Sequence, residues 1–108
     1  MIETNPEQTL ADIEAVFEDS KANRLILRNR WDAAKGKYHM TLVARREAGA
    51  KLTVADMEAL EAMAIDDVPE VREAYLDFIS ADSAYRGAKV KWEAAKRGYW
   101  DQKDSRRT

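Results

Sequence analysis

The feature that most constrains this chain is a seven-residue repeat between Val71 and Tyr99. Val71, Phe78, Tyr85, Trp92 and Tyr99 recur at every seventh position, and Ala74, Ala81, Ala88 and Ala95 follow the first four three residues later. A large residue at heptad position a and a small one at d, kept up over four repeats, is the pattern of a helix lying along another helix. Such a stripe cannot bury itself. The rest of the chain has to supply the surface that covers it.

The N-terminal half offers that surface. Asn5-Pro6 reads as a helix start, with Asn as N-cap and Pro at the first helical position. Glu7 and the acids after it suit the positive end of the helix dipole. From there a heptad runs with Leu10, Phe17, Arg24, Trp31, Tyr38 and Arg45 at a, and Ile13, Ser20, Leu27, Ala34, Thr41 and Ala48 at d. Arginine at a can bury its stem and keep its head in water. Gly36 weakens the helix by about 1 kcal/mol relative to Ala, and Gly49 is placed to end it. Thr53 and Asp56 have cap spacing for a short helix with Val54, Met57, Leu60 and Ala64 along one side. Asp67 and Glu70 have the same spacing at the start of the last helix.

These signals predict an all-α fold in a single domain, 1–108: two long antiparallel helices, a coiled-coil-like hairpin, joined by a short one. The predicted spans are about 6–48, 54–65 and 68–103. A short helical connection favours antiparallel neighbours. A register in which paired residue numbers total 119 sets nearly every large residue against a small one, with a slip of one heptad left open: Trp31 to Ala88, Tyr38 to Ala81, Ala34 to Tyr85, Leu27 to Trp92, Ser20 to Tyr99 and Ala48 to Val71. The charges agree with this orientation. Successive blocks 1–20, 21–51, 52–82 and 83–108 carry −6, +7, −8 and +5, so the acidic start of the last helix lies beside the basic end of the first. Met40, Val43, Leu76 and Ile79 are then expected to receive the short helix.

Composition excludes several functions. With 108 residues and no cysteine, the chain has neither disulfides nor thiolate metal sites. No apolar run reaches the roughly 18 residues that span a bilayer, and the first residues lack the order of a signal peptide. A cytoplasmic location without membrane contact is expected. The one histidine, His39, sits at an outward heptad position, and no Glu-x-x-His pair or glycine-rich phosphate loop is present. No catalytic, metal or cofactor site is expected.

Two functional classes remain. One is single-stranded nucleic-acid binding, as a recombination accessory for example. Lys and Arg cluster with Trp and Tyr in both long helices (Arg28, Arg30, Trp31, Lys35, Lys37, Tyr38; Lys89, Lys91, Trp92, Lys96, Arg97, Tyr99, Trp100), and aromatics in a basic groove stack bases. Against it, most of these aromatics lie on the seam, and the pI near 5.5 is acidic. A local echo, Trp31-Asp32-Ala33-Ala34-Lys35 and Trp92-Glu93-Ala94-Ala95-Lys96, each with Tyr three positions on, fits convergence on one packing solution as well as duplication.

The other class is a non-catalytic protein-interaction module, and it is the favoured reading. Helix 1 carries a second apolar line at Ala22, Ile26, Ala33, Met40 and Val43. Val16, Ile26 and Trp100 lie off the seam at the free end of the hairpin, where Arg97, Lys103, Arg106 and Arg107 follow. Tryptophan edged by arginine is a hot-spot composition, so these seven residues are the candidate contact with a protein partner or a second copy. In size, composition and coiled-coil style the whole chain resembles small helical accessory proteins encoded by phages and prophages. That resemblance rests on no specific motif, and it implies an accessory or inhibitor protein that binds a host or phage protein complex.

Overall fold

The computed structural model describes the backbone of residues 6–105 and the side chains of residues 9–101. Asn5, the expected N-cap, lies outside the described residues. The fold is all-α: α1 spans Pro6–Glu47, α2 Val54–Asp67 and α3 Pro69–Ser105, with no strand among the described residues. No described helix is long and apolar enough to cross a membrane.

The helix ends follow the local chemistry. Gly49 takes φ 106°, a left-handed conformation that costs glycine little. Ala50 N–H then reaches the Arg45 carbonyl and Gly49 N–H reaches that of Arg46, the paired bonds of a Schellman ending. Thr53 opens α2 with a reciprocal capping box. Its hydroxyl accepts from Asp56 N–H at 3.1 Å, while its own N–H donates to the Asp56 carboxylate at 3.0 Å.

The α2–α3 junction differs from the expected one. Asp67 is the last residue of α2, so it cannot cap α3. Val68 serves both helices: its N–H donates to the Ala64 carbonyl, and its own carbonyl accepts from Arg72 N–H. Its extended backbone (φ −109°, ψ 108°) is what Pro69 imposes on the residue before it.

The chain divides into two compact units, Met1–Arg24 with Ala81–Thr108, and Leu25–Ser80. In the first, Phe17, Ala81 and Ala88 are buried. The Phe17 ring lies parallel to that of Trp92, centroids 4.7 Å apart, and stacks on Tyr85 at 5.6 Å. In the second, Ala34, Ala64 and Val71 form a cluster against which Trp31, Tyr38, Ile65, Val68 and Ala74 pack. Trp31 stacks on Phe78 at 5.3 Å and tilts against Tyr75 at 5.1 Å.

The α3 heptad is the inward stripe. All nine of its seam residues are buried or half-buried, whereas Leu76, Ile79 and Val90 off the seam are exposed. On α1 the inward stripe follows the heptad from Leu10 to Tyr38 and then departs from it. Thr41, Arg45 and Ala48 are exposed, and Leu42, with no exposed surface, and half-buried Val43 turn inward. Thr41 bonds the Lys37 carbonyl of its own helix instead.

The register differs too. Trp31 meets Tyr75 and Phe78 rather than Ala88, and Ala34 clusters with Val71, a residue expected opposite Ala48. The cause is α2. It packs back on α1 through Ala64, and Glu61 contacts His39, so the last turns of α1 are taken before α3 begins. For the same reason α2 does not cover the expected patch. Met40, Leu76 and Ile79 remain exposed.

Two outcomes follow from these contacts. Leu42→Ala should lower stability by about 2–5 kcal/mol, the range for a buried leucine, while Thr41→Ala stays within about 0.5 kcal/mol; urea melts of both variants decide whether Leu42 or Thr41 is core. The bonds from Thr53 hold the Asp56 carboxyl below its ordinary range. Its contribution is therefore complete above the ordinary carboxylate value and is lost as pH falls through the lowered one. Asp56→Ala should melt below the parent at pH 7, and the gap should narrow once acid protonates the carboxylate; a gap independent of pH would exclude the cap.

Candidate interaction surfaces

The apolar side chains left outside both cores are the candidates. Val16, Leu25, Ile26, Met40, Val54, Met63, Leu76, Ile79, Val90 and Trp100 are all exposed. Three are among the seven residues expected at a contact. Val16 belongs to the first unit and lines a shallow hollow of about 240 Å³ with Asp12, Ile13, Ala88 and Lys91. Trp100, in the same unit and half exposed, meets Tyr99 edge-on at 5.6 Å, and Arg97 is exposed one turn earlier. Ile26 belongs to the second unit. Lys103 lies on α3 with its side chain outside the described set, and Arg106 and Arg107 lie outside the described residues.

The echoed Trp-acid-Ala-Ala-Lys segments make the same local contact. Lys35 Nζ sits 4.0 Å from the Trp31 ring centroid and Lys96 Nζ sits 4.3 Å from that of Trp92. Four residues apart on a helix, a lysine folds its ammonium over the ring before it. Each indole also stacks on a core aromatic: Trp31 on Phe78, and Trp92 on Phe17. With an aromatic and an ammonium already against each ring, these tryptophans are poor platforms for bases, which need an open π-face.

One charged cluster is built into the first unit. Asp82 accepts from Arg24 Nε at 2.6 Å and is ion-paired with Arg86, Nε 2.9 Å from its other oxygen, and its side chain is only 14% exposed. The Arg24 guanidinium also lies 4.9 Å from the Tyr85 ring centroid. An arginine at a seam position is thus accommodated by a carboxylate at one side and a ring at the other.

Three features were not readable from sequence. His39 does not stand alone, since its Nδ1 contacts Glu61 across the α1–α2 turn. Asp82 follows Ala81 in the sequence as one acid among many, and nothing local marks it as the partner of Arg24. The Trp31 indole N–H is buried with no hydrogen-bond partner, a costly arrangement that no local pattern signals. Among the described residues no group of three or more His, Asp or Glu is placed to hold a metal ion.

Comparison of the chain with protein families, with curated proteins and with solved structures gives no match.

The Asp82 cluster generates a direct test. Asp82→Ala leaves a partly buried Arg24 without its carboxylate and should cost about 1–2 kcal/mol, with part of the loss screened by salt. A melt unchanged from the parent would show that the two arginines are satisfied by solvent.

Proposed function

We propose that this chain is a non-catalytic helical protein-interaction module, of the accessory or inhibitor type that phages and prophages encode, and that it acts by presenting surface to a protein partner or a second copy. The observation that carries this reading is the set of large apolar side chains exposed away from the seams. Exposed apolar surface flanked by charge is characteristic of interaction sites. We place one contact at Val16, Arg97 and Trp100, continuing along the sequence to Lys103, Arg106 and Arg107, and a separate one at Ile26 in the other unit.

The scaffold for these surfaces is an antiparallel hairpin of the long helices. Its support comes from each unit taken separately. Phe17 meets Trp92, and seven residues later Arg24 meets Asp82. In the other unit Trp31 meets Phe78, and six residues later Lys37 meets Glu70 at 3.3 Å. In both, a later residue of α1 pairs with an earlier one of α3.

Single-stranded nucleic-acid binding is the rival reading, and one pair of measurements separates the two. Fluorescence anisotropy with a single-stranded oligonucleotide should give weak binding that fades steeply as salt rises. Affinity capture from the source cells should recover a partner with the parent chain and lose it with Trp100→Ala, whose melting temperature should stay within a few degrees of the parent. Tight oligonucleotide binding at physiological salt would reverse the ranking and place Lys89, Lys91, Lys96 and Arg97 at the site. A large loss of stability in Trp100→Ala with capture unchanged would make Trp100 a core residue.

A further inference from the structure

We propose that the groove between α1 and α3 beside Val16 is a docking face for a second copy of this chain, which meets it with the same groove about a twofold axis running along it. This rests on the interaction-module reading and names the occupant at Val16; Trp100 does not line the hollow there. Every residue involved belongs to the unit of Met1–Arg24 with Ala81–Thr108.

The groove holds the hollow of about 240 Å³ lined by Asp12, Ile13, Val16, Ala88 and Lys91. Its floor is apolar: Ala88 is buried and Ile13 half-buried, while Val16 on the α1 wall is 59% exposed. The two walls share one spacing. On α1, Asp12 stands four residues before Val16 and Asp19 three after it, one turn away on either side. On α3, Gly87 stands four residues before Lys91 and Ala94 three after it. One wall therefore reads acid, apolar, acid, and the other small, cation, small. All six residues are exposed.

These charges are uncommitted. Asp12, Asp19 and Lys91 make no ion pair among the described residues, although Asp12 and Lys91 border the same hollow. The next positions along the same lines are uncharged: Asn23 lies seven residues past Val16, and Ala84 and Gly98 lie seven on either side of Lys91. Asp101 is the next charge on the α3 wall, two turns past Ala94. The flatness of that wall is not demanded by packing inside the unit. A Cβ added at Gly87 would meet nothing within 4 Å, and glycine weakens a helix interior relative to alanine. The room it leaves is on the outside of α3.

Charge selects how two such grooves meet. An axis across the groove sets α1 on α1 and α3 on α3, which opposes Asp12 and Asp19 to carboxylates and Lys91 to its own kind. An axis along the groove lays α1 of one copy over α3 of the other and keeps every residue at its level. Val16 and Lys91 border one hollow and so share a level. The partner's Lys91 then falls between Asp12 and Asp19, and Val16 comes down on the small residues beside that lysine's stem. Each contact occurs twice, and the two hollows close on each other. Such a contact is isologous and stops at two copies.

Charge reversal tests this on the full chain by sedimentation equilibrium. The parent should reach twice 12.3 kDa as concentration rises and go no higher. Lys91→Glu sets a carboxylate between the partner's two and should weaken the dimer at least about thirtyfold, the size of a hot-spot loss. Adding Asp12→Lys and Asp19→Lys to that variant exchanges the signs on both walls and should restore a dimer. Mixed with the parent, the triple variant should pair with itself alone, because a mixed pair opposes like charges along both walls. Gly87→Gln, whose Cβ meets open space in the single chain, should also dissociate the dimer. Circular dichroism should show the helix content of every variant unchanged.

A parent that stays at 12.3 kDa up to about 1 mM, or one that grows beyond two copies, would overturn the assignment. So would Lys91→Glu dimerising like the parent, or a folded triple variant that stays monomeric or pairs as readily with the parent as with itself. The module reading fails separately. A monomeric parent that still captures a protein through Trp100 removes the self-contact and keeps the module. Tight oligonucleotide binding removes the module, and the measured masses still decide the dimer.

Discussion

The structure depends on how α3 turns its aromatic residues toward α1. Phe17 lies flat on Trp92 and stacks on Tyr85, and Trp31 stacks on Phe78 and tilts against Tyr75. Offset stacks of this kind add about 0.5–1.5 kcal/mol each beyond the area they bury. The alanines between the rings are what permit it. Ala81 and Ala88 are buried in one unit and Ala34 and Ala64 in the other, and only small side chains let helices approach until rings overlap rather than collide. Arg24, at a seam position, fits because Asp82 and the Tyr85 ring receive it.

Most of the fold was legible because it is written in local signals. Gly49 ends α1, Thr53 and Asp56 open α2, and Pro69 starts α3; each acts through bonds within a few residues of itself. The α3 heptad was legible for a related reason. A stripe of alternating aromatics and alanines on one helix has one face to bury, whatever it is buried against. The failed capping box at Asp67 shows the limit of spacing alone. Two helices share the single residue Val68, whose N–H bonds back to Ala64 at the end of α2 and whose carbonyl accepts the first bond of α3 from Arg72, which leaves Asp67 inside α2.

The register was not legible, and the reason is three-dimensional. Matching large to small across two helices assumes that the connection lies beyond both. Here α2 returns along α1, with Ala64 in the cluster of Ala34 and Val71. The final turns of α1 are thereby removed from the pairing, which moves Trp31 from Ala88 to Phe78. In the same stretch Leu42 is buried where the heptad had placed Thr41. The exposed apolar residues were legible only as composition. Val16, Ile26 and Trp100 are exposed, while Arg30 and Lys37, which flank Ala33 on α1, were read with the neighbouring aromatics as a basic cluster rather than with the apolar line.

The exposed line of Ile26, Ala33 and Met40 on α1 shows how a chain with 35% charged residues can leave large apolar side chains uncovered. Cations and carboxylates beside an apolar line act in two ways. They keep the line hydrated and discourage indiscriminate collapse onto other surfaces, and their sign decides which apolar surface can cover it without stranding a charge. On α1 the flanking groups are Arg30 and Lys37, and on α3 Arg72 and Glu73 stand one turn before Leu76. A helix pair whose interior is thin with alanine gains little more by burying these lines internally, since every added large side chain would push the stacked rings apart. The same close approach that lets Phe17 and Trp31 stack therefore leaves the second apolar lines facing outward, beside charged neighbours.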